Sequence, residues 1–294
     1  MLRRGQVTVR TMPTKDQYFA ELRKVPALAL PSVAYFFIGY GIFLGSTMAA
    51  VAGQIPMWAA CLINGFALYV LFTPMHESLH GSVSSNQFVN DMLGRIPLLF
   101  QIPAAPLEVA RWIHLAHHAN TTSSDDPDNF MHHGAWWVLP FRWANFDVFY
   151  VVKFFQDDSN ATKRLRPAVY MYAIVFLIIV AGFVVNGLAL ELFILWFLPS
   201  RIGLGLIGFF FVFLPHFPAD ISARQDKYQA TTTRIGWEWV LTPFLGYHNY
   251  HLIHHLYPNV PFYNYIKIWQ LRYEEITANN PSIQKGFALR PEGR

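Results

Sequence analysis

Four apolar runs constrain this 294-residue chain more than any other feature of it. A helix rises 1.5 Å per residue, so about 20 apolar residues cross a hydrocarbon core of about 30 Å. The first run is Leu28 to Val51 and the second Ile55 to Met75, joined by a turn around Gly53. The third, Pro167 to Val185, turns near Asn186-Gly187 into a longer return, interrupted by Pro199, that ends at Pro215. They read as two membrane hairpins. Composition agrees, with 53% hydrophobic and 14% charged residues against roughly 25% charged in a soluble domain. The run Ile96 to Pro106 is about half a span and contains Pro97, Pro103 and Pro106, so it reads as interfacial or re-entrant.

Basic residues orient the hairpins. Residues 1–30 hold six Lys or Arg, 76–166 seven and 217–294 eight, leaving only Arg201 elsewhere. Two hairpins put those three segments on one side, and the positive-inside rule makes it the cytoplasm. The expected architecture is an all-α integral membrane protein of about four spans in two hairpins, with a helical cytoplasmic cap. It reads as one domain over 1–294: a basic segment 1–30, a hairpin 28–75, an insert 76–166, a hairpin 167–216 and a C-terminal part 217–294. A net charge of +4, spread evenly, does not suggest nucleic acid. One cysteine, Cys61, excludes a disulfide framework, a thiolate zinc site and a cysteine-held iron–sulfur cluster. Gly203, Gly205 and Gly208 match a dinucleotide fingerprint in letters, but inside an apolar span they read as small residues for close helix packing.

Histidine is what the chain has instead. Eight of its 12 histidines form three clusters: His76 and His80 in HESLH, His114, His117 and His118 in HLAHH, and His251, His254 and His255 in HLIHH. At about 100° per residue, positions i, i+3 and i+4 share one face of a helix. A single HxxxH is commonly an exposed or hydrogen-bonded helix face, but three clusters on one side of the membrane read as metal faces. Neutral imidazole suits zinc, copper, iron or nickel, and eight nitrogens exceed the needs of one four-coordinate ion. Two metals are implied. Zinc has no redox chemistry, so a paired site beneath a bilayer points to iron and O2 acting on an apolar substrate.

The alternatives use less of the sequence. His76-Glu77-Ser78-Leu79-His80 is also HExxH, the zinc-protease motif with glutamate as general base, which leaves both HxxHH clusters without a task. A carboxylate-rich di-iron bundle needs two ExxH motifs, and only Glu77-x-x-His80 fits. A metal carrier without catalysis is the third class.

The order HESLH, HLAHH and HLIHH around two hairpins resembles the membrane fatty-acid desaturase and hydroxylase superfamily, over roughly residues 30–275. That resemblance implies two non-haem iron ions held by histidines, using O2 and two external electrons to desaturate or hydroxylate a lipid chain. FLPHFPADISARQ, GYHNYHLIHHLYPNVPFYNY and HHANTTSSDDPDNF are similar to stretches of bacterial and cyanobacterial β-carotene hydroxylases. Glu77, where carotenoid-acting members often have aspartate, keeps a fatty-acyl substrate open. The family carries an extra histidine after the last span, which implies His216 as a ninth ligand. With no flavin or nicotinamide site in the sequence, electrons come from a ferredoxin-like or cytochrome-type donor.

Metal-bound imidazoles usually give their other nitrogen to a carboxylate or carbonyl. Glu77, Asp125, Asp126, Asp128 and Asp220 are the nearby carboxylates, with a solvated loop as the competing role for 125–128. His248 reads as a support to the ligands or as structural, and Asn249 as either a water-mediated neighbour of a metal or a helix-surface residue. His132 and His133 are expected in solvent, Trp136 and Trp137 at the membrane interface, and Glu191 and Arg201 near the last hairpin without an established pairing.

Overall fold

The computed structural model describes residues 14–289; Arg3, Arg4 and Arg10, part of the basic N-terminal count, lie outside them. Among the described residues, four helices are long and apolar enough to cross a membrane: α2 (Leu30–Val51), α3 (Met57–Leu79), α8 (Asn160–Val185) and α9 (Ala189–His216). A short α1 (Lys15–Leu22) precedes them, and α4 (Gln87–Gln101), α5 (Leu107–Asn120), α6 (Leu139–Ala144) and α7 (Phe146–Gln156) lie between the two pairs. After α9 come β1 (Thr232–Ile235), α10 (Glu238–Phe244), α11 (His251–Leu256), α12 (Tyr265–Leu271), α13 (Tyr273–Thr277) and β2 (Ser282–Lys285). β1 and β2 pair in parallel, Thr232 opposite Ser282.

Both expected turns occur, with Gly53 at φ 72° and Gly187 at φ 74°, a left-handed conformation that glycine adopts without a Cβ clash. The spans run longer than hydropathy suggests. α3 continues beyond Met75 through His76 and Glu77 to Leu79, so HESLH forms the last turn of a span. α8 begins at Asn160, because Ser159 caps it by accepting from the Thr162 amide, and its early Lys163, Arg164 and Arg166 have stems long enough to reach the interface. Pro199 does not interrupt α9. Wider π-helical turns at Phe193–Phe197 and Gly208–Phe213 precede Pro199 and Pro215, where a proline ring would otherwise meet the carbonyl four residues back.

α3 is the central helix and packs on α2, α4 and α9, whereas α8 turns nearly all its side chains outward. Close approach of α9 depends on small residues, as the sequence suggested. A Cβ on Gly203 would lie 2.9 Å from that of Leu68, and one on Gly208 2.6 Å from that of Trp143. The segment before Pro106 reaches in among the long apolar helices. Gln101, ending α4, donates to the carbonyl of Leu68 at 2.8 Å, midway along α3, and the Trp196 indole donates to the Phe100 carbonyl at 3.1 Å. The α6–α7 segment also packs against α9, since Trp143 meets Gly208 and Asp147 forms a two-bonded ion pair with Arg201 at 2.8 and 2.7 Å. Arg201 is therefore paired with Asp147 of the insert.

Gly208→Ala forces a methyl against the Trp143 backbone and is expected to cost about 1–3 kcal/mol by overpacking. Gly182→Ala, with open space around it, is expected to be neutral. Thermal unfolding of the two variants in detergent measures the difference.

Candidate metal centre

The ends of two spans and two helices of the cap deliver the histidines to one place. His76 and His80 come from the end of α3, His114, His117 and His118 from α5, His216 from the end of α9, and His251, His254 and His255 from α11. Side chains spaced by three or four residues share a helix face, so each helix contributes a group.

The nine rings sort into two sets. His76, His80, His114 and His254 have ring nitrogens within 4.8 Å of one another, as do His117, His216, His251 and His255. His118 lies between the sets, grouped with His254 and His255, its Nε2 3.1 Å from that of His114 and 3.0 Å from that of His254. His118 and His255 stack at 4.2 Å where the sets meet.

Hydrogen bonding alone does not account for this packing. His80 Nε2 lies 2.7 Å from His114 Nε2, which also faces His118, which also faces His254. His251 Nε2 likewise lies 3.0 Å from both His216 and His255. A ring nitrogen carries one in-plane proton or one lone pair, not both, so it cannot serve two such neighbours. Nitrogens about 2.1 Å from one ion lie about 3 Å apart when their bonds meet at a right angle. The spacing fits metal coordination.

Outer nitrogens fix the tautomers. His216 Nδ1 donates to the Ala230 carbonyl at 3.2 Å, which leaves Nε2 as the lone pair. His117 Nδ1 faces Asp126 at 3.0 Å and Asp128 at 3.3 Å. His254 Nδ1 is 2.8 Å from the Tyr265 hydroxyl, and His255 Nδ1 is 3.3 Å from Thr121 Oγ1. Burial opposes a charge on His117, but Asp126 and Asp128 outweigh it and raise its pKa to about 9. Asp126 is held below the usual carboxylate range by His117 against the effect of burial, while burial pushes Asp128 up to about 6. Burial, then neighbouring cationic groups, lowers His80 to about 3. Burial and adjacent imidazoles hold His114, His118, His251, His254 and His255 well below the ordinary value. These rings are neutral near pH 7, the form that binds metals.

The supporting residues divide. Asp126 and Asp128 are buried against His117, whereas Asp125 is exposed and bonds through its amide to Ser123 Oγ. Solvent is the role the structure gives Asp125, and Asp220 is exposed as well. Asn249 donates to Thr242 Oγ1 at 3.2 Å, and its own carbonyl accepts from the Arg234 amide. His248 packs 4.7 Å from the His76 ring and donates through Nδ1 to the Gly246 carbonyl. His132 is buried on Phe213, 5.7 Å from His216, not in solvent, because α6 and the end of α9 close over it.

Glu77 lies beside His76, its Oε1 3.9 Å from that ring's Nδ1. Fully buried, it accepts from Ser82 Oγ at 2.8 Å, the Phe262 amide at 2.9 Å and the Tyr265 hydroxyl at 3.3 Å. A protease base must face water at the metal, so HExxH is not used that way here. Glu77 instead reaches His254 through Tyr265. Tyr265, Thr121 and Tyr150, which donates to Asp128, carry no sequence signal that marks them. Their places depend on contacts between residues more than 20 apart.

Beside the rings lies an apolar cavity of about 80 Å³, lined by Phe72, Met75, Ile207, Phe211 and Val212 together with His76, His114, His117 and His251.

The chain is similar to known proteins. A β-carotene ketolase of a Paracoccus species is 29% identical over 197 residues, 66% of this chain and 71% of its own. An sn-1 oleoyl-lipid 12-desaturase of Anabaena variabilis is 24% identical, covering 86% of this chain and 64% of its own. A dihydrorhizobitoxine desaturase of Bradyrhizobium elkanii is 25% identical over 80% of this chain and 73% of its own. The fatty acid desaturase family model matches residues 53–287, and this membrane-type, histidine-rich helical chain belongs to that family.

Proposed function

We propose that the protein is an O2-dependent lipid oxidase that holds two irons, one in each histidine set, and desaturates or hydroxylates a long apolar chain or ring. The observation that carries this reading is the convergence of nine imidazoles at coordination spacing, four of which, His76, His114, His117 and His251, line an apolar cavity. The first iron takes His76, His80, His114, His118 and His254, and the second His117, His216, His251 and His255. The basic-residue count supports a cytoplasmic position for this end, and a ferredoxin-like or cytochrome-type carrier supplies the electrons.

With O2 and two electrons, such an iron pair supplies removal of hydrogen from an unactivated C–H bond. With two protons as well, hydroxylation yields an alcohol and one water, and desaturation yields an alkene and two waters. The chain's own residues do the rest. Phe72, Met75, Ile207 and Phe211 hold the hydrocarbon and exclude water from the reacting carbon. Asp126 holds the His117 ring, and Glu77, through Tyr265, holds that of His254.

The substrate is a carotenoid ring or a fatty-acyl chain. The resemblance of the FLPHFPADISARQ and GYHNYHLIHHLYP stretches to carotenoid-acting members favours the ring, as does the relatedness to a protein named as a β-carotene ketolase. Expression in a host supplied with β-carotene, with pigments and fatty acids both profiled by mass, tests the choice. Oxygenated or desaturated product in neither pool overturns the oxidase reading.

Elemental analysis of the purified protein is expected to give about two irons per chain. His117→Ala and His254→Ala, each removing a ligand from a different set, are expected to lower the iron content and abolish turnover. Full iron in either variant contradicts the assignment. Tyr265→Phe keeps the packing of a buried ring but cuts the link from Glu77 to His254, and is expected to weaken iron retention or activity about 10–100-fold. Iron loss to a chelator over time measures it.

A further inference from the structure

The cavity is walled by residues of α3, α4, α5, α7 and α9, with ligand rings among its lining. At about 80 Å³ it is also small against the roughly 300–1,000 Å³ of ordinary ligand pockets. A long chain enters only if a wall moves.

One wall is a single helix thick. Phe146 and Tyr150 of α7 face the cavity, while Val148, Phe149, Val151 and Val152 of the same helix are exposed. Those exposed side chains are apolar, and the start of α7 lies beside Arg201, near the middle of the span Ala189–His216. Hydrocarbon is the medium such a face suits.

At the join between this wall and α9, Ala144 and the Trp143 backbone rest on Gly205 and Gly208, and the Trp143 ring lies on Phe209 and Phe213. Polar contacts fasten its ends. Asp147 pairs with Arg201 on α9, and Tyr150 donates to Asp128, which faces His117. An ion pair out of water is strong while closed and has no aqueous partners when parted, which favours one closed arrangement between openings.

We propose that the seam between α6–α7 and α9 is the portal through which a hydrocarbon chain already dissolved in the bilayer reaches the metal centre. The substrate class is then a membrane lipid or a bilayer-soluble polyene, not a water-soluble acyl thioester. This rests on the reading of the cavity as the place of lipid oxidation.

A disulfide across the seam tests it. A Cβ at Gly205 would lie 3.8 Å from that of Ala144, the usual separation across a disulfide, about 3.8 Å. Ala144→Cys with Gly205→Cys, in a Cys61→Ala background, is reconstituted in phosphatidylcholine vesicles containing a phospholipid with a mid-chain diazirine. After irradiation, labelled peptides are mapped by mass. With the cysteines reduced, label is expected on Met75 and Phe211 in the cavity and on lipid-facing α8. Oxidation is expected to lower the cavity label at least about tenfold, leave that on α8 unchanged, and be reversed by reductant. Cavity label that persists with the bond closed overturns the proposal, as does cavity label from an aqueous diazirine acyl thioester under the same condition. If the double variant does not fold, Asp147→Asn replaces it. Faster cavity labelling than in the parent supports the portal, and an unchanged rate overturns it. The labelling does not depend on turnover, so normal labelling without oxidised product counts against the oxidase reading and leaves the portal standing.

Discussion

Holding nine imidazoles with their ring nitrogens pointed at two small volumes is the demand that shapes this molecule. Lone pairs facing one another about 3 Å apart repel unless a cation lies between them, so the protein must fix each ring from behind. It does so with chemically different groups: carboxylates behind His117, a backbone carbonyl behind His216, a phenol behind His254 and a threonine hydroxyl near His255. A ring held at Nδ1 by an acceptor has one tautomer and one direction.

Those supports also join the cap to the membrane helices. Glu77, on the last turn of α3, accepts the Phe262 amide and the Tyr265 hydroxyl, so one buried carboxylate ties a span to the segment around α12. Arg234 does the same for α9. It is buried in β1 and donates to the carbonyl of Leu214, two residues before His216, and to those of Gly286 and Ala288 beyond β2. The small parallel strand pair thereby positions a ligand of the second set. A buried polar group is costly unless its bonds are met, which makes these ties specific to one arrangement.

The hydrocarbon end of the site obeys a different rule. Within a bilayer, apolar burial gives helices little reason to associate, and close backbone approach takes its place. Gly203 against Leu68 and Gly208 against Trp143 provide that approach. Two short pieces, the end of α4 and the α6–α7 segment, are set between the spans, their polar atoms bonded to Leu68, Trp196 and Arg201. They complete the cavity walls that four spans alone leave open.

Much of this was legible in the chain. Apolar run length gave the four spans, Gly53 and Gly187 gave their turns, and i, i+3, i+4 spacing gave the eight clustered histidines, because each of these is a local property of a helix. His216 was legible only through family resemblance, since one histidine has no periodicity. The division of the rings into two sets, the burial of His132, the solvent position of Asp125 and the Arg201–Asp147 pair were decided by tertiary structure. So was the use of Glu77, which belongs to a protease-like motif in sequence yet serves Tyr265 and the Phe262 amide. A helix specifies which side chains share its face, but which partner that face meets is set by packing among distant segments, such as Glu77 and Tyr265, 188 residues apart.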